Sequence, residues 1–159
     1  MNEPKVGQYG LVHTGSKSGF LIGVGTKSIF DHVVTYIGNG LIVEATPSKG
    51  IAIASVTKYS NIAWNTHEPM TDEEGQAIAN AVQSFVGQKY LFRAILAAAF
   101  KILHLRFLLR LLGNLDEAHA SDCSELVVKA RRKAGKPVEG TIPDYLISPA
   151  DLGNRLFYI

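Results

Sequence analysis

A chain of 159 residues, 47% hydrophobic and 19% charged, is the size of one ordinary domain and can bury a core unaided. That balance argues against disorder, and a net charge of +2 is too weak to point to nucleic acid. One cysteine excludes an internal disulfide and any metal site built from several thiolates. A single domain over 1–159 is the expectation.

Met1 to Gln8 carries no basic region followed by an apolar run and a small-residue cleavage site, so no secretory signal is expected. The first half then reads as strands. Gly10–Thr14, Phe20–Gly25, His32–Gly38, Leu41–Ala45 and Ile51–Val56 are short, rich in β-branched residues, and separated by Gly, Asn, Ser or Pro. Gly38-Asn39-Gly40 is a tight-hairpin signal because these residues tolerate positive φ. His32 and Glu44 are therefore expected on paired neighbouring strands.

The second half reads as helices. Thr71 to Glu74 forms a capping box, and Ile78, Ala81, Val82 and Phe85 follow on one helical face, with Gly87 as the expected stop. A further helix is expected to start at Ser121 or Asp122, either a good N-cap, and to end before Gly135. Cys123, Leu126, Val127, Ala130 and Ala134 share its apolar face. Lys129, Arg131, Arg132 and Lys133 crowd its C-terminal half, where the dipole favours cations, and read as a solvated helix end. Between these helices lies an apolar helical insert, residues 93–113. At about 100° per residue, Lys101 and His104 fall near Arg93 while Arg106 and Arg110 fall on another side. Its longest uncharged piece is far short of the roughly 20 residues a membrane crossing needs.

A thiol at the start of a helix meets unpaired backbone N–H groups and the positive end of the dipole. Both lower a thiol pKa, and the same N–H groups can stabilise an oxyanion. By position alone the favoured reading of Cys123 is a buried inert cysteine. His13, His67, His104 and His119 have no metal-ligand spacing, so neither metal nor cofactor is expected.

Local words separate these readings. Asp122-Cys-Ser-Glu-Leu-Val127 resembles the Asp-Cys-Ser-Gly-Leu/Phe-Val signature of NlpC/P60 peptidases. Asp31-His-Val-Val-Thr-Tyr-Ile-Gly38 resembles the strand that carries their histidine, and Leu41-Ile-Val-Glu-Ala45 falls where they place a third polar residue. Val86-Gly-Gln-Lys-Tyr90 is similar to the Gly-x-x-Tyr word that precedes their cysteine. His32 precedes Cys123 by 91 residues, the reverse of the ordinary order, and so resembles the circularly permuted, YiiX/YaeF-like branch. Gly7 to His13 and Ser148-Pro-Ala-Asp-Leu152 resemble that branch's first-strand and C-terminal words, with Gly10 where Asp is usual. The resemblance covers nearly the whole chain. Departures are Val34 and Thr35 after the histidine, Glu44 for His, Asn or Gln, and the long insert.

The resemblance implies an α+β, papain-like fold, an antiparallel sheet packed against the helix that carries the cysteine. It implies Cys123 as nucleophile, His32 as base and Glu44 as orienter, with Tyr90, Asp122 and Ser124 toward the substrate. The implied reaction is thiolate attack on an amide or ester carbonyl through an acyl-enzyme, with a peptidoglycan stem-peptide amide as substrate. Two rivals stand beside it: a lipid-directed acyltransferase or deacylase of the lecithin:retinol acyltransferase type, in which residues 93–113 contact lipid or a partner protein, and a non-catalytic binding module. Such a protein is expected in the cytoplasm by default, or carried to the wall by a phage particle or a secretion machine.

Overall fold

A computed structural model describes residues 4–15, 29–90, 120–121, 123–138, 147 and 149–157. The expected strand Phe20–Gly25, the insert 93–113 and Asp122 lie outside them. The described residues form an α+β structure built on a five-stranded antiparallel sheet.

The centre of that sheet is a hairpin of β2 (His32–Gly38) and β3 (Leu41–Thr46). Its turn residues Asn39 and Gly40 take φ of 52° and 71°, the conformation the Gly-Asn-Gly word allows. The hydroxyl of Tyr36 accepts the Gly40 N–H at 3.2 Å, and a register shift between Tyr36 and Gly38 accommodates the turn. Val34 then stands opposite Glu44. β4 (Gly50–Ser55) pairs with β3, and β1 (Tyr9–Val12) with β2. On the far side of β1 lies β5 (Ile62–Trp64), which gives the order β4-β3-β2-β1-β5. The sequence pattern does not predict β5, because three residues are too few for an alternation to register.

Pairing with β5 explains Gly10. It stands opposite Trp64, and a Cβ there would lie 2.3 Å from Ile62 Cγ2 and 2.7 Å from Trp64 Cε3. An Asp at this position would force the Ile62 and Trp64 side chains to move, and Trp64 covers the bare backbone instead.

Helix α1 (Asp72–Gln83) begins with both halves of the capping box, Thr71 Oγ1 accepting from the Glu74 N–H and Glu74 Oε2 from the Thr71 N–H. It ends at Gln83, capped at Ser84, and not at Gly87. Gly87 instead ties the following turn to the sheet. At φ 91° its N–H donates to Ile51 O, while Gln88 O accepts from Ile51 N–H, each at 2.9 Å. This locks the turn onto the edge strand β4. A short parallel pair follows, β6 (Lys89–Tyr90) with β7 (Ala120–Ser121), directly ahead of α2 (Cys123–Lys133). Pro149, which suits a first helical position, opens α3 (Pro149–Phe157).

Alternation divides the sheet. Leu11, Val33, Val43 and Ala45 face Val82 of α1 and Leu126, Val127 and Ala130 of α2 in the main core. Val12, Val34, Tyr36 and Ile42 form a smaller core on the opposite face, under Tyr59 and Trp64. Of the basic residues on α2, Arg132 and Lys133 are exposed as expected, but Arg131 is 2% exposed. Its guanidinium reaches Glu68 and stacks 5.9 Å over the Tyr9 ring, while Lys129 pairs with Glu125 at 2.9 Å. A buried guanidinium needs a counter-ion, and Glu68, on the segment between β5 and α1, supplies it.

Helix α1 sits unusually close to the chain ahead of β1. A Cβ on Gly75 would come 2.3 Å from the Val6 carbonyl oxygen, and one on Gly7 would come 2.6 Å from Gly75 Cα. Within a helix Gly→Ala ordinarily stabilises by about 1 kcal/mol. Here Gly75→Ala should destabilise, by about 1–3 kcal/mol for an overpacked contact. A denaturant titration that finds the variant more stable than wild type would contradict this packing.

Candidate active site

The start of β2 and the start of α2 meet at one end of the sheet. His32, first residue of β2, and Glu44 lie by alternation on the face of the smaller core, whereas Cys123, first residue of α2, belongs to the main core. The imidazole therefore bridges the two faces around the strand end. Through Nε2 it hydrogen-bonds with Glu44 Oε2 at 3.2 Å, and on the other side the charge of Cys123 acts on it. With Nε2 committed to the carboxylate, Nδ1 is the ring nitrogen left for the thiol. All three residues are buried, Cys123 at 4%, His32 at 7% and Glu44 at 2% exposed.

Glu44 has further partners that the sequence pattern does not reveal. Residues Val56–Lys58 form a 3₁₀ turn after β4, capped by Ser55, and it brings the polar side chains of Lys58 and Tyr59 back over β3. Lys58 Nζ donates to Glu44 Oε1, and the Tyr59 hydroxyl donates to Oε2 at 2.6 Å. The Tyr59 ring also lies 5.8 Å from the His32 ring at 52°. No spacing in the sequence points to Lys58 or Tyr59, because their approach depends on the chain reversing after β4.

These contacts set the protonation states. Burial opposes charge on His32, but hydrogen bonds with Cys123 and Glu44, and the charges of both, raise its pKa from 6.5 to about 9. Burial likewise favours a neutral Glu44, yet hydrogen bonds from His32, Lys58 and Tyr59 hold it down at about 2. Burial and the bond to Glu44 push the Tyr59 phenol above its ordinary range, so it remains a neutral donor. At neutral pH the site holds an imidazolium against a carboxylate.

The other expected residues are placed in part. The backbone of Tyr90 pairs with Ser121, two residues ahead of Cys123, so the Tyr90 strand runs beside the entry to α2. Ser124 is 1% exposed, and its hydroxyl has no hydrogen-bond partner among the described residues. Asp122 lies outside the described residues. Glu125, where the family signature has Gly, is buried in the first turn of α2 and pairs with Lys129. Asp31, ahead of His32, accepts from the Thr14 N–H at 2.7 Å and anchors the end of β1 to the start of β2. Exposed His13 lies 3.7 Å from the Asp31 carboxylate.

Among the described residues, no three His, Cys, Asp or Glu gather as a metal set, and no helix is long and apolar enough to cross a membrane. A surface cleft of about 390 Å³ lined by Lys5, Tyr36, Asn39 and Asp72 lies at the hairpin end of β2, away from His32. No protein-family model matches the chain, and no curated protein matches its sequence.

The linked shifts fix a pH signature. A raised His32 pKa contributes stability that is complete below 6.5 and lost as pH rises through about 9. A depressed Glu44 pKa contributes stability that is complete above 4.5 and lost as pH falls through about 2. The stability difference between wild type and Glu44→Gln should therefore be largest between pH 4.5 and 6.5 and shrink on both sides. Urea midpoints across pH measure it, and a difference independent of pH would contradict the ion pair.

Proposed function

We propose that this chain is a cysteine hydrolase of the permuted NlpC/P60 type, with a papain-like arrangement of sheet and helix. One observation carries the reading: buried Cys123 opens a helix and is electrostatically coupled to His32, whose Nε2 is held by a buried carboxylate. The order of the elements supports it too, since the sheet residues come first and the cysteine helix packs back onto β2 and β3.

In this reading His32 holds the thiol proton as an imidazolium, and the Cys123 thiolate attacks the carbonyl carbon of an amide or ester. Charge develops on the carbonyl oxygen, where backbone N–H groups at the start of α2 can meet it. His32 then gives its proton to the departing amine or alcohol, which leaves an acyl group on Cys123. Water attacks that acyl carbon, His32 receives the water proton, and the thiolate leaves as the acid product is released. Glu44 keeps the imidazole in one orientation and tautomer throughout. A peptidoglycan stem-peptide amide is the proposed substrate. Its support is the wording around Asp31–Gly38 and Asp122–Val127.

Cys123→Ala and His32→Ala should each lower turnover by roughly a thousandfold or more, with the double variant no worse than either, because members of one catalytic unit are strongly non-additive. Cys123 is buried, so Cys123→Ser serves as a near-isosteric control for folding. Glu44→Gln should cost less, since an amide oxygen still accepts from Nε2. The assay is mass spectrometry of purified muropeptides, with phospholipids alongside, after incubation with the protein. Wild-type turnover by Cys123→Ala would overturn the proposal, whereas release of fatty acids in place of peptides would replace the substrate and keep the nucleophile.

A further inference from the structure

The geometry points to Lys58 and Tyr59 as positioning residues for the His32–Cys123 pair, acting by sharing the Glu44 carboxylate and so limiting how tightly it holds the imidazole proton. This rests on reading His32 as the base. A buried carboxylate whose charge falls on a single cationic partner raises that partner's pKa, and a general acid that holds its proton more tightly assists a leaving group less. Here both oxygens are occupied. Oε2 accepts from His32 at 3.2 Å and from the Tyr59 hydroxyl at 2.6 Å, while Oε1 accepts from Lys58. Glu44 is thus fixed in rotation by donors on both oxygens, and its charge is divided between two cations.

The setting favours such an influence. The Lys58 side chain is 42% exposed while Glu44 is 2% exposed, so the lysine brings its charge from the rim to a buried carboxylate. The titratable groups around His32 are Cys123 from α2, Glu44 from β3, Tyr59 and the more distant Lys58 from the segment after β4, and Asp31 preceding it in the chain. Asp31 is already engaged by Thr14 through both carboxylate oxygens, at 2.7 and 3.0 Å. Among these groups Lys58 supplies the cation that competes with His32 for Glu44.

The sign follows from charge. Replacing Lys58 by a neutral side chain leaves Glu44 wholly to His32 and favours the imidazolium. In Lys58→Met the His32 titration, read by NMR of its ring protons, should move up by about half to one pH unit, the size expected for one charge several ångströms away in a half-wet site. Tyr59→Phe removes the other donor to the oxygen that His32 uses and should move the titration the same way by less. Lys58→Arg, which keeps the charge, should titrate as wild type. A Lys58→Met curve that superposes on wild type would overturn the inference, as would a Lys58→Arg curve shifted as far as that of Lys58→Met. Alkylation of wild-type Cys123 with iodoacetamide across pH separates the two levels. Slow alkylation with an ordinary thiol profile counts against the hydrolase reading, while the His32 titrations decide the role of Lys58 in either case.

Discussion

Glu44 sits on a central strand with 2% of its surface exposed, and a carboxylate taken that far out of water is tolerated only when donors surround it. The structure around β3 meets that requirement from two sides. The hairpin partner contributes His32, and the turn after β4 contributes Lys58 and Tyr59. Each depends on register: sliding β3 by one residue against β2 would carry Glu44 to the helix side of the sheet and leave its charge among Val33 and Leu126. The positive-φ turn at Asn39 and Gly40, which sets that register, is therefore as much a part of the site as the side chains are.

A second consequence concerns where the thiol can be. His32 begins its strand, so its ring lies at the sheet's end and reaches past it to Cys123, which packs with the main core on the other face. A histidine in the middle of β2 would be confined to one face. Helix α2 is held against the sheet by Leu126, Val127 and Ala130, and by Arg131, anchored to Glu68 and stacked on Tyr9. The packing of the helix and the position of the nucleophile are one problem, solved by the same residues.

Whatever depends on neighbours in sequence is legible there. The β2–β3 hairpin and the capping box at Thr71 rest on turn and cap chemistry a few residues long, and they stand where expected, while α2 opens at Cys123, next to its expected caps. That His32 and Glu44 lie on paired neighbouring strands follows from the hairpin alone. What depends on distant reversals is not legible. Lys58 and Tyr59 read as ordinary residues after a strand, β5 is too short to show a period, and Arg131 resembles one more cation at a helix end because Glu68 is 63 residues away. Gly10 and Gly75 belong to the same class, since only the assembled fold reveals the atoms that a Cβ would strike.

The central claim is that Cys123 is a nucleophile activated by His32, and covalent trapping tests it most directly. The protein would be incubated with an activated aryl ester such as p-nitrophenyl acetate, quenched in acid, and analysed by intact-mass and peptide mass spectrometry. Expected is a single acyl adduct on Cys123 that forms rapidly in wild type, forms far more slowly in His32→Ala, and is absent in Cys123→Ala. An adduct spread over surface lysines, or one on Cys123 that forms equally fast without His32, would contradict the claim.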